Sequence, residues 1–339
     1  MPEVFGQNLP TLHDWARRLD PKGKIDTVVN LLAETNQILE DMVWIEGNLP
    51  TGHQTTVATG IPEPTWRALY QGVKPTKGTT RQVVDTCGML EARPQIDVDL
   101  AKLNGNSAEW RLSEERLHIE GMNQEMAKTL FYGDTRDEPE KFMGLAPRFC
   151  DPNADNGGQI IDGGGEETNS NLTSIWVVVW GPNTVHGIFP KGSKAGMQIT
   201  DNGKQTVTDL VNGGRYDVLE SHYKWDCGLS VRDWRYVVRI ANIDVNSLST
   251  FGASSGDTSP NLIRLLIQAV ETIPEVNLGK PVIYCNRIVR TWLRIMVNEK
   301  SNVYLSLDEY GGKKILTFDG IPIRRCDKIL TTESHINFA

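Results

Sequence analysis

The stretch from Gly52 to Leu100 constrains this chain more than any motif, because it is written as strands yet lacks the apolar side chains that hold strands together. Short β-prone pieces, Gln54–Ala58, Arg81–Asp85 and Ile96–Leu100, are separated by Pro62-Glu-Pro64, Gly72 and Pro75-Thr-Lys-Gly78, the pattern of a long twisted hairpin. Fixing each residue costs roughly 1–2 kcal/mol of backbone entropy, and a lone two-stranded ribbon is marginal in water. With so many polar and charged positions, this ribbon does not offset that cost from its own contacts. The expectation is that it stays mobile or orders against another subunit.

The rest of the chain is able to bury a core, since 39% of its 339 residues are hydrophobic. At about 150 residues per domain the length suggests roughly two domains. Lys and Arg number 35 against 43 Asp and Glu, a net charge of −8. That balance suits nucleic-acid wrapping poorly, because phosphate binding draws on Lys and Arg displacing counterions. The most apolar run, Ile175–Trp180, is strand-length and too short for a membrane span. The N-terminal MPEVFGQNLPTLHDWARR has no basic cluster followed by an apolar core, so a cytoplasmic protein is expected. Five widely spaced cysteines, Cys87, Cys150, Cys227, Cys285 and Cys326, give no disulfide framework and read as buried free thiols.

Periodicity organises the remainder. Ile25, Val28, Val29, Leu32, Leu39 and Met42 fit an amphipathic helix after Asp20-Pro21. A second helix follows Asn104-Gly-Asn106, with Ala108, Leu112, Ile119, Met122, Met126 and Leu130 on one stripe, and ends at Gly133. Its Arg111 and Glu115 read as a solvated i,i+4 pair. Residues 150–171 are Gly-rich and carry five acids with no basic residue, the text of an exposed loop. A β-rich block spans Ser174–Asp244, including an aromatic alternation over Arg232–Ile240 in which Trp234 and Tyr236, like Trp225, read as strand core. Ser259-Pro260 marks a helix start carrying Leu262, Leu265, Leu266 and Val270. A strand over Pro281–Tyr284, a helix over Asn286–Asn298 and a strand–turn–strand over Leu316–Ile323 close the chain. Irregularly ordered strands and helices give an α+β class.

Catalytic motifs fail on context. Gly252-Ala-Ser254-Ser-Gly256 matches the GxSxG spelling of a serine hydrolase, with Asp308 or Asp319 and His335 as partners. A nucleophile elbow needs a strand directly into the serine and a helix directly out of it, whereas Asn246–Thr250 precedes it and the helix waits until Pro260. Asp151, Asn153, Asp155 and Asp162 have calcium-loop spacing, but Asn156 stands where Gly is needed and Asp162 where a bidentate Glu is needed. Glu115 and His118 form one Glu-x-x-His where a di-iron bundle needs two. Asp97 and Asp99, on one face of a strand, read as solubility patterning. No catalytic, cofactor-binding or metal-binding residue is assigned.

Several stretches together are similar to a known family. They are Leu49–His53, Pro62–Arg67, Asp85–Ala92, Leu103–Asn106, Glu120–Met126, Leu130–Gly133, Pro139–Leu145 and Phe318–Ile323. Their order resembles the major capsid proteins of tailed bacteriophages, which share the Hong Kong coliphage-type fold, and within them the podophage subgroup typified by epsilon-fifteen. The resemblance implies an N-terminal arm over 1–50, an extended loop (E-loop) over 51–103, a peripheral domain with a spine helix over 104–171, an axial domain over 172–300, and a return to the peripheral domain over 301–339. It implies a structural subunit, not an enzyme, that assembles as pentamers and hexamers into an icosahedral shell around double-stranded DNA, without cofactor or membrane. Copies of itself, a portal, scaffolding and decoration proteins are the implied partners. The virion capsid, assembled in bacterial cytoplasm, is the implied location. A ring- or tube-forming virion protein and the Ser254 hydrolase are the alternatives. On the ribbon, Trp66 and Tyr70 are the candidate contact residues, because large amphipathic rings contribute most to interfaces, and Arg81, Glu91 and Arg93 are candidate inter-subunit ion-pair residues.

Overall fold

The computed structural model describes residues 9, 36–103, 107–209, 213–250, 261–298, 305–310 and 313–338. In chain order the elements are α1 (Ile38–Asp41), β1 (Trp44–Glu46), β2 (Gly52–Gly60), β3 (Thr79–Ala92), β4 (Gln95–Asp97), α2 (Val98–Lys102) and α3 (Ser107–Tyr132). There follow β5 (Ile160–Asp162), β6 (Leu172–Trp180), β7 (Val185–Phe189), β8 (Gln198–Thr208), β9 (Arg215–Val231) and β10 (Val237–Asp244). The last are α4 (Leu262–Thr272), β11 (Lys280–Cys285), α5 (Arg287–Asn298), β12 (Leu305–Tyr310), β13 (Lys313–Phe318) and β14 (Ile321–Arg325). Most of the helix expected over Ile25–Met42, and Ser254 with its GxSxG triplet, lie outside the described residues.

The chain divides into two compact units. The larger takes in Thr35–Gly88, Ala127–Ala195 and Cys227–Ala339. Its centre is β6, flanked antiparallel by β10 (Val238 opposite Val177) and β11 (Ile283 opposite Val177). β5 runs parallel beside β10, β14 parallel beside β11, and β13 and β12 continue the sheet antiparallel. Every residue of β6 is buried, so the unbroken Trp-Val-Val-Val-Trp run is the signature of a strand covered on both faces. On one face Ile175, Val177 and Val179 pack with Leu262, Leu266 and Val270 of α4 and Val289, Leu293 and Met296 of α5. On the other, Trp176 meets Phe131 at 6.0 Å and Phe149 at 6.3 Å, and Trp180 meets Tyr284 at 6.4 Å. The β13–β14 connection is tight because Asp319 and Gly320 both hold positive φ, 50° and 76°, the backbone that matches strand twist across a two-residue hairpin.

Buried charge ties distant segments to this core. The Asp41 carboxylate, 2% exposed, receives Lys280 at 2.6 Å and lies 3.4 Å from Arg324. It also accepts from the Tyr284 hydroxyl at 3.1 Å, which in turn accepts from the Trp180 indole at 2.8 Å. Burial, then the Asp41 charge, drives the Tyr284 phenol well above its ordinary pKa, so it stays a neutral donor.

Among described residues the smaller unit comprises Met89–Met126 and Gly196–Asp226. β8 lies antiparallel along the first part of β9, and β4 pairs with β9 through Ile96 opposite Leu219. Ile96, Leu100, Ala101 and Leu219 make its small apolar centre.

Several expectations are corrected. The strand read over Ile96–Leu100 stops at Asp97, whose side chain caps α2 by accepting from the Asp99 amide at 2.8 Å, so Asp97 and Asp99 do not share a strand face. On α3 the stripe is buried at Met122, Met126 and Leu130, but Leu112 is 48% exposed and Glu114 only 8%. The reason is that this half of α3 turns polar groups toward β8 and β9. Arg111 reaches Asp201 at 2.9 Å and the Ser221 hydroxyl at 2.8 Å, and Glu115 accepts from that hydroxyl at 2.5 Å. Arg111 and Glu115 are therefore a partly buried network, not a solvated pair. Within the acidic loop Ile160–Asp162 pairs with β10 because its two isoleucines supply a strand edge. Trp234–Tyr236 form a 3-10 turn capped by Asp233, so the alternation over Arg232–Ile240 is a turn that leaves Trp234 36% exposed rather than in a strand core, followed by a strand buried through Ile243. Helix α4 is capped by Asn261, whose side chain accepts from the Arg264 amide, and the expected start at Ser259-Pro260 lies outside the described residues. Cys150 is exposed and Cys87 half-buried, while Cys227, Cys285 and Cys326 are buried.

Candidate assembly surface

The ribbon is a hairpin whose two ends have opposite physics. β2 and β3 run antiparallel from Gly52 opposite Thr86 to Gly60 opposite Thr79. At the root the strands approach so closely that a Cβ on Gly52 would lie 2.0 Å from the Asp85 carbonyl oxygen. Asn48 braces the turn there, its side-chain oxygen accepting from the Gln54 amide and its nitrogen donating to the Gln54 carbonyl, both at 2.7 Å. Asp85 is 3% exposed and takes the Arg148 guanidinium at 2.8 Å. The same guanidinium donates to the Met143 and Leu229 carbonyls at 3.3 Å, so within the larger unit one arginine ties β3 to β9.

Beside that clamp two histidines are buried edge-to-face, His53 and His186, with ring centroids 5.8 Å apart. Both His186 ring nitrogens and the His53 Nε2 are enclosed without a hydrogen-bond partner. Burial, the neighbouring imidazole and Arg232 push His186 down to about 4, and burial followed by Arg232 lowers His53, with Asp85 opposing both shifts. The unfolded chain takes up these protons near 6.5 and the native chain only at lower pH. Their contribution to stability is thus complete above about pH 6.5 and lost as pH falls toward 4. Urea unfolding of the wild type between pH 7 and 4 is expected to show a fall that is visibly shallower in His186→Leu. Equal slopes would show that the pair carries no proton linkage.

The far end is bare. All residues from 61 to 82 are exposed, including Ile61 at 88%, Trp66 at 104%, Leu69 at 83% and Tyr70 at 102%. Tyr70 holds φ 67° within a turn closed by the Gln71 amide donating to the Ala68 carbonyl, a left-handed conformation that costs roughly 1–2 kcal/mol in a residue with a Cβ. Of the candidate contact residues, Trp66, Tyr70 and Arg81 lie on this bare end. Glu91 and Arg93 do not. Within the smaller unit the Glu91 carboxylate meets His222 at 3.0 Å and Arg93 lies 3.7 Å from Glu220. The His222 hydrogen bond holds the Glu91 carboxyl below its usual range.

Little here supports catalysis. An open depression of about 450 Å³ beside α3 is lined by Leu90, Ala92, Leu117, His118 and Met122 with Glu114 and Glu125, a set without Ser, Thr, Cys or Lys. His335 is engaged with the Gly165 carbonyl at 3.1 Å, and Asp319 is spent in the β13–β14 turn. Among the described residues no group of His, Cys, Asp or Glu could hold a metal ion.

A family model described as major capsid protein GP7 matches residues 20–337. The chain belongs to the GP7 major capsid protein family. A chain in the near-atomic-resolution structure of bacteriophage epsilon15 is 40% identical, covering 98% of this chain and 99% of that one, with a TM-score of 0.80. The bacteriophage JBD30 capsid aligns at 10% identity over 88% of this chain and 92% of that one, TM-score 0.46. No match is found among curated proteins. The GP7-family chain is thus a structural shell subunit of a tailed phage, α+β in class as expected, which assembles with copies of itself in the virion capsid. The comparisons give the serine hydrolase alternative no support.

Sequence reading found the ribbon but missed what anchors it. Asp85, Arg148, His53 and His186 carried no motif.

Proposed function

We propose that the hairpin is the chief contact by which each subunit holds its neighbours, with 1–50 as an arm, 51–103 as the extended loop, 104–171 and 301–339 as the peripheral domain and 172–300 as the axial domain. The observation that carries this is the unbroken exposure of residues 61–82, with large apolar side chains among them. An apolar surface of this kind marks a site that a partner covers. Trp66, Tyr70 and Arg81 supply that contact. Glu91 and Arg93, 37% and 55% exposed, remain open to a second partner at its edge. The shell encloses double-stranded DNA without sequence-specific binding, in keeping with a net charge of −8. It assembles in the bacterial cytoplasm with portal and scaffolding proteins and accepts decoration proteins.

Trypsin and electron microscopy test this together. In dissociated subunits, cleavage is expected first at Arg67 and Lys77, and the same bonds are expected to resist in assembled particles, which should be closed shells in negative stain. Rings or tubes would instead assign the chain to another part of the virion, and equal cleavage in both states would remove the hairpin from the contact.

A further inference from the structure

One cationic cluster stands out in this acidic chain. Arg287, Arg290 and Arg294 project from α5, and Arg324 and Arg325 from β14 beside it. Asp327 pairs with Arg325 at 2.5 Å and with Arg287 at 3.2 Å, and Asp41 serves Arg324 together with Lys280. Among the described residues no carboxylate pairs with Arg290 or Arg294, and the Arg290 Nε is enclosed without a partner. Burial and the charges of Arg294, Arg325 and Arg324 pull the Arg290 pKa down. The outer face of α5 interleaves these guanidinium groups with Ile288, 40% exposed, and Ile295, 36% exposed. Planar guanidinium forks suit carboxylates or phosphates, and exposed carboxylates without a cationic partner are what the chain itself supplies.

Those carboxylates lie in the acidic loop. Asp151, Asp155, Asp162, Glu166 and Glu167 are all exposed, and among the described residues none forms an ion pair with Lys or Arg. We propose that the acidic loop of one subunit, centred on Glu166 and Glu167, seats on the arginine face of α5 in a neighbouring copy. Such a contact joins two different patches, the head-to-tail kind that closes subunits into rings, and its charge complementarity fixes register and excludes other partners. It rests on the shell reading above and names a second contact within it.

Charge exchange in the full-length chain decides the matter. The variants are Arg287→Glu with Arg294→Glu, Glu166→Lys with Glu167→Lys, and all four together, each checked for a native melting curve. By sedimentation velocity, either pair alone is expected to lower the assembled fraction by about tenfold, and the fourfold variant to recover most of it. Wild-type assembly that survives either reversal, or loss that the fourfold variant fails to rescue, overturns the contact and leaves the shell reading standing. A wild-type chain that stays monomeric at every concentration overturns the shell reading itself. Wild-type retention on double-stranded DNA that is abolished by the arginine reversal, with assembly unchanged, assigns the patch to phosphate and also overturns the contact.

Discussion

Replacing Glu333 with alanine is expected to cost about 3–5 kcal/mol of unfolding free energy, the usual consequence of removing one partner of a buried ion pair. Glu333 and Arg239 are each 5% exposed and meet at 2.7 Å. The Glu333 carboxylate also accepts from the Tyr132 and Ser174 hydroxyls. Arg239 donates to the Phe149 carbonyl at 2.8 Å and to Ser174 at 3.1 Å, and its guanidinium lies 5.0 Å from the Trp176 ring centroid. The Glu333 amide donates to the Leu172 carbonyl at 2.9 Å, so the carboxylate pins the C-terminal segment along β6. Three residues later Asn242 repeats the device, bonding both the amide and the carbonyl of Ile336.

Because the penalty comes from a stranded charge, the double change Arg239→Met with Glu333→Leu is expected to be less destabilising than Glu333→Ala alone. Urea unfolding of the three chains measures this. A single variant within about 1 kcal/mol of wild type, or a double variant no better than the single, would show that the network contributes little. Tyr132 belongs to the same unit, since burial and then the Glu333 charge raise its phenol well above the ordinary value. It therefore stays a neutral donor to that carboxylate.

These clamps show where sequence reading stops. Ile175–Trp180 announces a strand because its apolar run is unbroken, and the Phe318-Asp-Gly-Ile run announces a turn because few residue pairs tolerate positive φ twice. Both signals are local. Asp41, Asp85 and Glu333 are acids in segments of ordinary polarity, and nothing within several residues distinguishes a buried carboxylate from a solvated one. Their partners lie far along the chain, Arg148 for Asp85, Lys280 and Arg324 for Asp41, Arg239 for Glu333. The first half of α3 misleads for a related reason. Its spacing is truly helical, but which face is buried depends on what packs there, and in this chain that is a hydroxyl and an aspartate rather than an apolar layer. The ribbon was legible by the opposite route, through a shortage of apolar residues that no local pairing repairs.

That shortage leads to the largest effect expected outside the core. Trp66→Ala and Tyr70→Ala should each raise the subunit concentration required for assembly by roughly 30-fold, the equivalent of about 2 kcal/mol for an aromatic anchor. The melting curve of the dissociated subunit should stay within about 0.5 kcal/mol of wild type, since exposed side chains contribute little to their own fold. Exposure of 104% and 102% leaves neither ring any intrachain packing to lose. The two outcomes must therefore separate, folding unchanged and assembly impaired, and Tyr70→Gly adds a further discriminator. Glycine relieves the φ 67° strain while deleting the ring. If the ring carries the contact, Tyr70→Gly assembles as poorly as Tyr70→Ala; if the turn's shape carries it, Tyr70→Gly assembles like the wild type. Sedimentation against concentration distinguishes these, and two variants that assemble normally would place the subunit contact away from the hairpin tip.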